Sequence, residues 1–144
     1  MGLRRKSREL VVQTFYALSY AEVDQYLQHL DYLSKYQEIL DDLIAENDIT
    51  KEDNVYEFAD NMIKNMIPKL DDIDDIIKNN LGENKIEKLG TLELIIMRMA
   101  TFEMCFEKTA PAVIINEAVD LTKKYCAEKS PALVNAILDK VKGK

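Results

Sequence analysis

Apolar residues recur at three- and four-residue steps along most of the chain, and only four glycines and three prolines interrupt them. Side chains so spaced share one face of a 3.6-residue helix, so the pattern predicts helices throughout. Val11, Phe15 and Leu18 form a first stripe, on a helix predicted to begin near Ser7. Leu27, Leu30 and Leu33, then Ile39, Leu40, Leu43 and Ile44, form a second region, read as one long helix or as two broken near residues 31–36. The polar stretch ENDITKEDN reads as a loop, with Thr50 as N-cap of the next helix and Asp53 as its box partner. Phe58, Met62, Ile63, Met66 and Ile67 make a third stripe that stops or kinks at Pro68. LDDIDDIIKNNLG predicts a short acidic helix, closed by Asn79, Asn80 and Gly82.

The second half is more regular. Thr91 can cap a helix whose Leu92, Ile95, Ile96, Met99, Phe102 and Phe106 face inward. Thr109 as cap and Pro111 in the first turn open the next, with the stripe Ile114, Ala118, Leu121 and Tyr125. Ser130 and Pro131 repeat that start signal before Val134, Ile137, Leu138 and Val141. No segment alternates with period two. The expected class is all-α, in two helical halves of about 5–80 and 84–142, forming one domain.

Charge changes this picture at one place. The chain carries 19 basic and 26 acidic side chains, a net charge of -7, yet four of its first eight residues are Arg4, Arg5, Lys6 and Arg8. Without those eight residues the balance is 15 basic against 26 acidic, or -11. An acidic body repels nucleic acid, so any phosphate binding must come from local patches. Cations at a helix start also oppose the macrodipole by about 0.3–1 kcal/mol each when exposed. Projection puts Arg4 and Arg8 on the side of Val11 and Phe15, so helix continued back through Arg4 would aim charge along the core stripe. The sequence therefore predicts an exposed arm or frayed first turn, either an anion site or a solubilising terminus. Lys123, Lys124 and Lys129 form a second basic spot, at a junction between two predicted helices. If that junction approached the arm, the two would make one groove.

Little else points to chemistry. His29 is the single histidine, which excludes a histidine-based metal cluster and favours a structural role. Asp71, Asp72, Asp74 and Asp75 read as a solvated turn near a helix start, without calcium-loop spacing. Asn116 and Glu117, and likewise Asn135, read as polar groups at the edge of the core that satisfy nearby backbone. Cys105 and Cys126, without a CxxC pattern, are expected to be small core residues in a reducing cytoplasm. LELIIMRMATFEM is interrupted by Arg98 and Glu103 and is too short for a membrane span. Nor does a secretory h-region follow the basic start. Glycine-rich phosphate loops, GxSxG and zinc patterns are also missing, which argues against an enzyme and implies no cofactor.

INEAVDLTKKYCAEKSPALVNAILDKV, residues 115–141, resembles the C-terminal signature of the bacterial transcription antitermination factor NusB family. RRKSRELVVQTFYAL resembles that family's arginine-rich start and first helix. LGTLELIIMRMATFEM resembles its central helix in the spacing of Glu93, Arg98 and Glu103. The resemblance spans essentially the whole chain and is weakest across residues 22–60. It implies a NusB-like bundle of about seven helices and a non-enzymatic RNA-binding role. It also implies pairing with NusE, a small ribosomal subunit protein, to bind single-stranded boxA RNA of nascent ribosomal RNA transcripts and join an antitermination complex on RNA polymerase. The RNA contacts implied are Arg4, Arg5, Lys6 and Arg8, then Glu128, Lys129 and Leu133, with Tyr16 a lesser candidate beside the basic Lys123 and Lys124. The NusE contacts implied are Glu87 and Glu93.

Two departures bear on affinity. Leu133 stands where relatives can present an aromatic ring, and base stacking is worth about 1–3 kcal/mol. Lys129 stands where an acidic residue is familiar, which should strengthen RNA binding. Ala136, replacing a glycine of the VNG pattern, should only tighten the helix. Two other classes compete with this reading: an accessory domain of an RNA methyltransferase, and a protein-binding helical scaffold with an idle basic terminus.

Overall fold

In a computed structural model of the chain, which describes residues 2–25, 28–82 and 86–142, the helical pattern resolves into seven α-helices and three short 3-10 turns. No strand occurs among the described residues, so the architecture is all-α. The helices are α1 (Gly2–Gln25), α2 (Tyr32–Glu46), α3 (Asn54–Met66), α4 (Leu70–Lys78), α5 (Thr91–Cys105), α6 (Pro111–Tyr125) and α7 (Ser130–Lys142). They divide into two compact units, one ending at Pro68 and the other beginning at Lys69.

In the first unit α1 packs on α2 and α3. Leu10, Val11, Val12, Thr14, Phe15 and Leu18 are all buried, so α1 hides far more of its circumference than a three-residue stripe. Thr14 can lie in this core because its hydroxyl donates to the Leu10 carbonyl at 2.8 Å. α2 contributes Tyr32, Tyr36, Leu40 and Ile44, and α3 contributes Val55, Ala59, Met62, Ile63 and Met66. Phenol groups at the edge are satisfied rather than orphaned: Tyr36 donates to Asp60 at 2.8 Å and Tyr32 to Glu22 at 3.0 Å.

The region after α1 is broken, since a 3-10 turn at His29–Asp31 precedes α2. Leu27 and the Leu30 side chain lie outside the described residues, and Leu33 is exposed rather than inward. The N-cap of α3 is Asp53, not Thr50: its extended backbone lets the carboxylate accept from Val55 N–H at 2.9 Å. Asp48 at φ 57° turns the chain out of α2 in the left-handed region.

The second unit is built around α5, which packs against α4, α6 and α7. Nine of its residues, including Ile95, Ile96, Met97, Met99, Ala100 and Phe102, are buried. α4 packs on α5 and α7 through Leu70, Ile73 and Ile77, so it belongs with the second half. The division thus falls at Pro68, where α3 gives way to a 3-10 turn, and not after the stop signal at Asn79, Asn80 and Gly82. Gly82 does end that segment, with φ +65° that a side chain would strain.

Four expectations change here. Gly90, not Thr91, is the N-cap of α5, and Ala110, not Thr109, is that of α6. Phe106 lies just past the end of α5 and is exposed, with its ring stacked on Phe102 at 5.9 Å and the Lys69 ammonium 5.7 Å away. Asp74 is no solvated turn residue: it accepts two hydrogen bonds from Arg98, at 2.7 and 2.8 Å, with both side chains about one-eighth exposed.

Candidate nucleic-acid interface

The basic start of the chain is helical from Gly2, so the expected arm is instead the first two turns of α1. Contacts with α3 and the loop before it explain why. The Arg4 guanidinium sits 3.8 Å above the centre of the Phe58 ring, and that of Arg8 lies 5.9 Å from the same centre. One aromatic ring thereby accommodates the charges that projection aims along the core stripe, a cation–π contact worth about 0.5–1 kcal/mol when exposed. Ser7 is buried and its hydroxyl donates to the Val55 carbonyl at 3.1 Å. The Lys6 ammonium donates to Asn47 Oδ1 at 3.1 Å, fastening the turn to the α2–α3 loop.

These contacts rank the four cations. Arg4 is exposed, Arg5 and Lys6 are half-buried, and Arg8 is only 7% exposed. Arg8 therefore serves the packing of α1 on α3 more than it faces solvent, a correction to its expected place among exposed anion ligands.

Farther along α1, Tyr16 and Tyr20 stand out of the core, 36% and 63% exposed. Their rings meet edge to face, 5.3 Å apart at 81°. The Tyr20 hydrogen bond is the main cause that pushes the Tyr16 phenol above its ordinary value. Arg5 and Tyr16 are eleven residues apart, so they project about 20° from each other on the helix. Tyr20 escaped the sequence reading, though two tyrosines four apart and off the apolar stripe are a legible signal.

In the second unit, the α6–α7 junction gathers Lys123, Lys124, Glu128 and Lys129, all exposed. The Lys124 ammonium lies 5.5 Å from the Tyr125 ring, and Leu133, on the first turns of α7, is half-buried. Ser130 opens α7 nearly buried, and its hydroxyl donates to Glu93 Oε2. The other oxygen of Glu93 accepts from the Gly90 N–H at 2.8 Å. Both oxygens of Glu93 are thus engaged within the chain, whereas Glu87, in the 3-10 turn Ile86–Lys88, is exposed.

The remaining candidates are quieter. His29 Nε2 lies 3.4 Å from Glu22 and its ring packs 5.5 Å from Tyr32, a structural clasp. Cys105 and Cys126 are half-buried rather than core residues, and burial pushes both thiols up. Asn116 and Asn135 are exposed on their helices, and Glu117 is half-buried. Among the described residues no His, Cys, Asp and Glu cluster is placed to hold a metal ion, and no helix is long and apolar enough to cross a membrane.

Residues 5–142 match the model of the NusB family. The chain belongs to the NusB family. A relative from Clostridium botulinum, Transcription antitermination protein NusB, is 34% identical over 141 residues, covering 96% of this chain and 98% of that protein. Among solved structures, NusB of T. maritima is 28% identical with a TM-score of 0.74, over 96% of this chain and 91% of that one. A structure described as antitermination factors NusB and NusE in complex with dsRNA is 24% identical, with a TM-score of 0.79 over 99% and 98%. At that identity the likeness concerns the fold.

Proposed function

We propose that this NusB-family chain is a non-enzymatic, RNA-binding transcription antitermination factor of the cytoplasm. Together with NusE it binds boxA RNA of nascent transcripts, those of ribosomal RNA operons among them, and helps assemble the antitermination complex on RNA polymerase. The observation that carries this reading is the concentration of Arg4, Arg5 and Lys6 at the start of α1, on a chain of net charge -7, with exposed tyrosines farther along the same helix. Cations meet phosphates and neutral aromatic rings meet unstacked bases, the two contacts that single-stranded RNA requires. The name of the C. botulinum relative, and the NusB–NusE–dsRNA complex that shares the fold, support the same reading.

The proposed RNA contacts are Arg4, Arg5, Lys6 and Tyr16 in the first unit, and Lys123, Lys124, Glu128, Lys129 and Leu133 in the second. Glu87 is the proposed NusE contact. Glu93 is a weaker one, because its carboxylate is already occupied. Leu133 offers no ring for stacking, so RNA binding without NusE is expected to be micromolar or weaker. The test is a salt-resolved titration of boxA RNA and a scrambled RNA, with and without NusE. Affinity for boxA should rise with NusE, and its logarithm should fall with log salt at a slope of roughly -0.7 per phosphate contacted. Equal binding of boxA and scrambled RNA in the presence of NusE overturns the proposal.

A further inference from the structure

A groove of about 500 Å³ runs between α1 and α3, lined by Arg4, Ser7, Asn54, Glu57, Phe58 and Asn61. Its volume lies within the roughly 300–1,000 Å³ of ligand clefts. Asn54, Glu57, Phe58 and Asn61 are spaced three, four and seven residues apart, so they share one face of α3. Asn54, Glu57 and Asn61 are exposed, and their side chains make no hydrogen bond or ion pair among the described residues. Phe58 holds the Arg4 guanidinium at 3.8 Å.

We propose that this groove is a subsite for one unstacked nucleobase of the bound RNA, selective for bases that carry an exocyclic amino group over uracil. The assignment rests on the RNA-binding reading above and adds Asn54, Glu57, Phe58 and Asn61 to the residues already named. Among Asn54, Glu57 and Asn61 a phosphate is poorly served, because the Glu57 carboxylate would repel it, so the backbone meets the Arg4 charge at the mouth of the groove and the base enters beneath it. A base is well served. Guanidinium planes stack on unstacked bases, and Arg4 is held over Phe58 as such a surface. Two carboxamides and a carboxylate supply both donors and acceptors for a base edge. The amino groups of cytosine, adenine and guanine donate to a carboxylate. Uracil instead offers one N–H flanked by two acceptor oxygens, which oppose the second oxygen of Glu57.

Fluorescence anisotropy with labelled oligo(C) and oligo(U) of equal length isolates the amino group within one ring size. The wild-type chain is expected to bind oligo(C) more tightly. The Asn54→Ala/Asn61→Ala double variant should lose roughly 5- to 150-fold on oligo(C), from the roughly 1–3 kcal/mol typical of base-edge pairs. Its binding to oligo(U) should change little, and its salt slope not at all, because no cation is removed. Glu57→Gln, a surface change that cannot disturb the core, should erase the preference for oligo(C). If both variants bind the two RNAs in the wild-type ratio, or the wild type does not favour oligo(C), the groove is no base subsite, whereas failure of the wild-type chain with NusE to prefer boxA over scrambled RNA removes the RNA-binding reading itself.

Discussion

The carboxylate of Glu93 joins two helix starts: one oxygen accepts from the Gly90 N–H that begins α5, and the other from the hydroxyl of Ser130 that begins α7. Ser130 is 4% exposed, so its hydroxyl has little access to water if Glu93 is removed. Glu93→Ala should therefore cost about 1–3 kcal/mol of stability in urea unfolding, the usual penalty for an orphaned buried polar group. Because Lys129 and Leu133 flank this anchor, RNA affinity should fall in the same variant while the salt slope is kept. An RNA affinity equal to wild type would show that the anchor does not position the junction.

Asp74 and Arg98 form a second internal link, bidentate and largely shielded from solvent. Removing one partner of such a pair strands the other charge, typically at about 3–5 kcal/mol. Asp74→Ala is expected to show a loss of that order in urea unfolding. Exposed Asp72 and Asp75, in the same acidic run, should each tolerate alanine to within about 0.5 kcal/mol.

Arg4 and Arg8 share the Phe58 ring but not the same surroundings. Arg4→Ala should weaken RNA binding and reduce the magnitude of the salt slope by roughly 0.7, one phosphate contact. Arg8→Ala should instead lower the melting temperature, with the slope nearly unchanged, because the 7%-exposed side chain packs α1 onto α3. Titrations at several salt concentrations, paired with thermal unfolding, separate the two. A loss of slope in the Arg8 variant equal to that for Arg4 would restore Arg8 as a direct ligand.

Burial raises the pKa of both cysteines, so a smaller fraction of each is thiolate at a given pH than in a free thiol. Alkylation of the folded chain at pH 8 should be slower than that of a cysteine peptide, and should approach it on unfolding in urea. Mass spectrometry over time reads this directly. Folded-state rates at or above the peptide's would contradict the burial argument.

Much of the fold was legible because local rules agree with it. The period of the apolar residues placed α7 on its buried face, and α3 and α6 on theirs except for half-buried Phe58 and Tyr125, while Pro68, Gly82, Pro111 and Pro131 marked real boundaries. Caps were less legible. Thr50, Thr91 and Thr109 all satisfied the composition rule, yet Asp53, Gly90 and Ala110 hold the capping positions. Several nearby residues can cap a helix, and packing decides where the chain actually turns.

Sequence alone determined the helical class, the acidic body and the basic first turn, because periodicity and charge are local properties of the chain. What it could not reveal were relations between residues far apart in sequence. Projection along α1 aims Arg4 and Arg8 along the core stripe, which predicts an exposed arm or a frayed first turn. Tertiary structure reversed that conclusion by bringing Phe58, fifty residues or more away, beneath both guanidiniums. It likewise joined Asp74 to Arg98 and Glu93 to Ser130. A charge near a core is costly or tolerable according to the partner that reaches it, and only the folded chain supplies that partner.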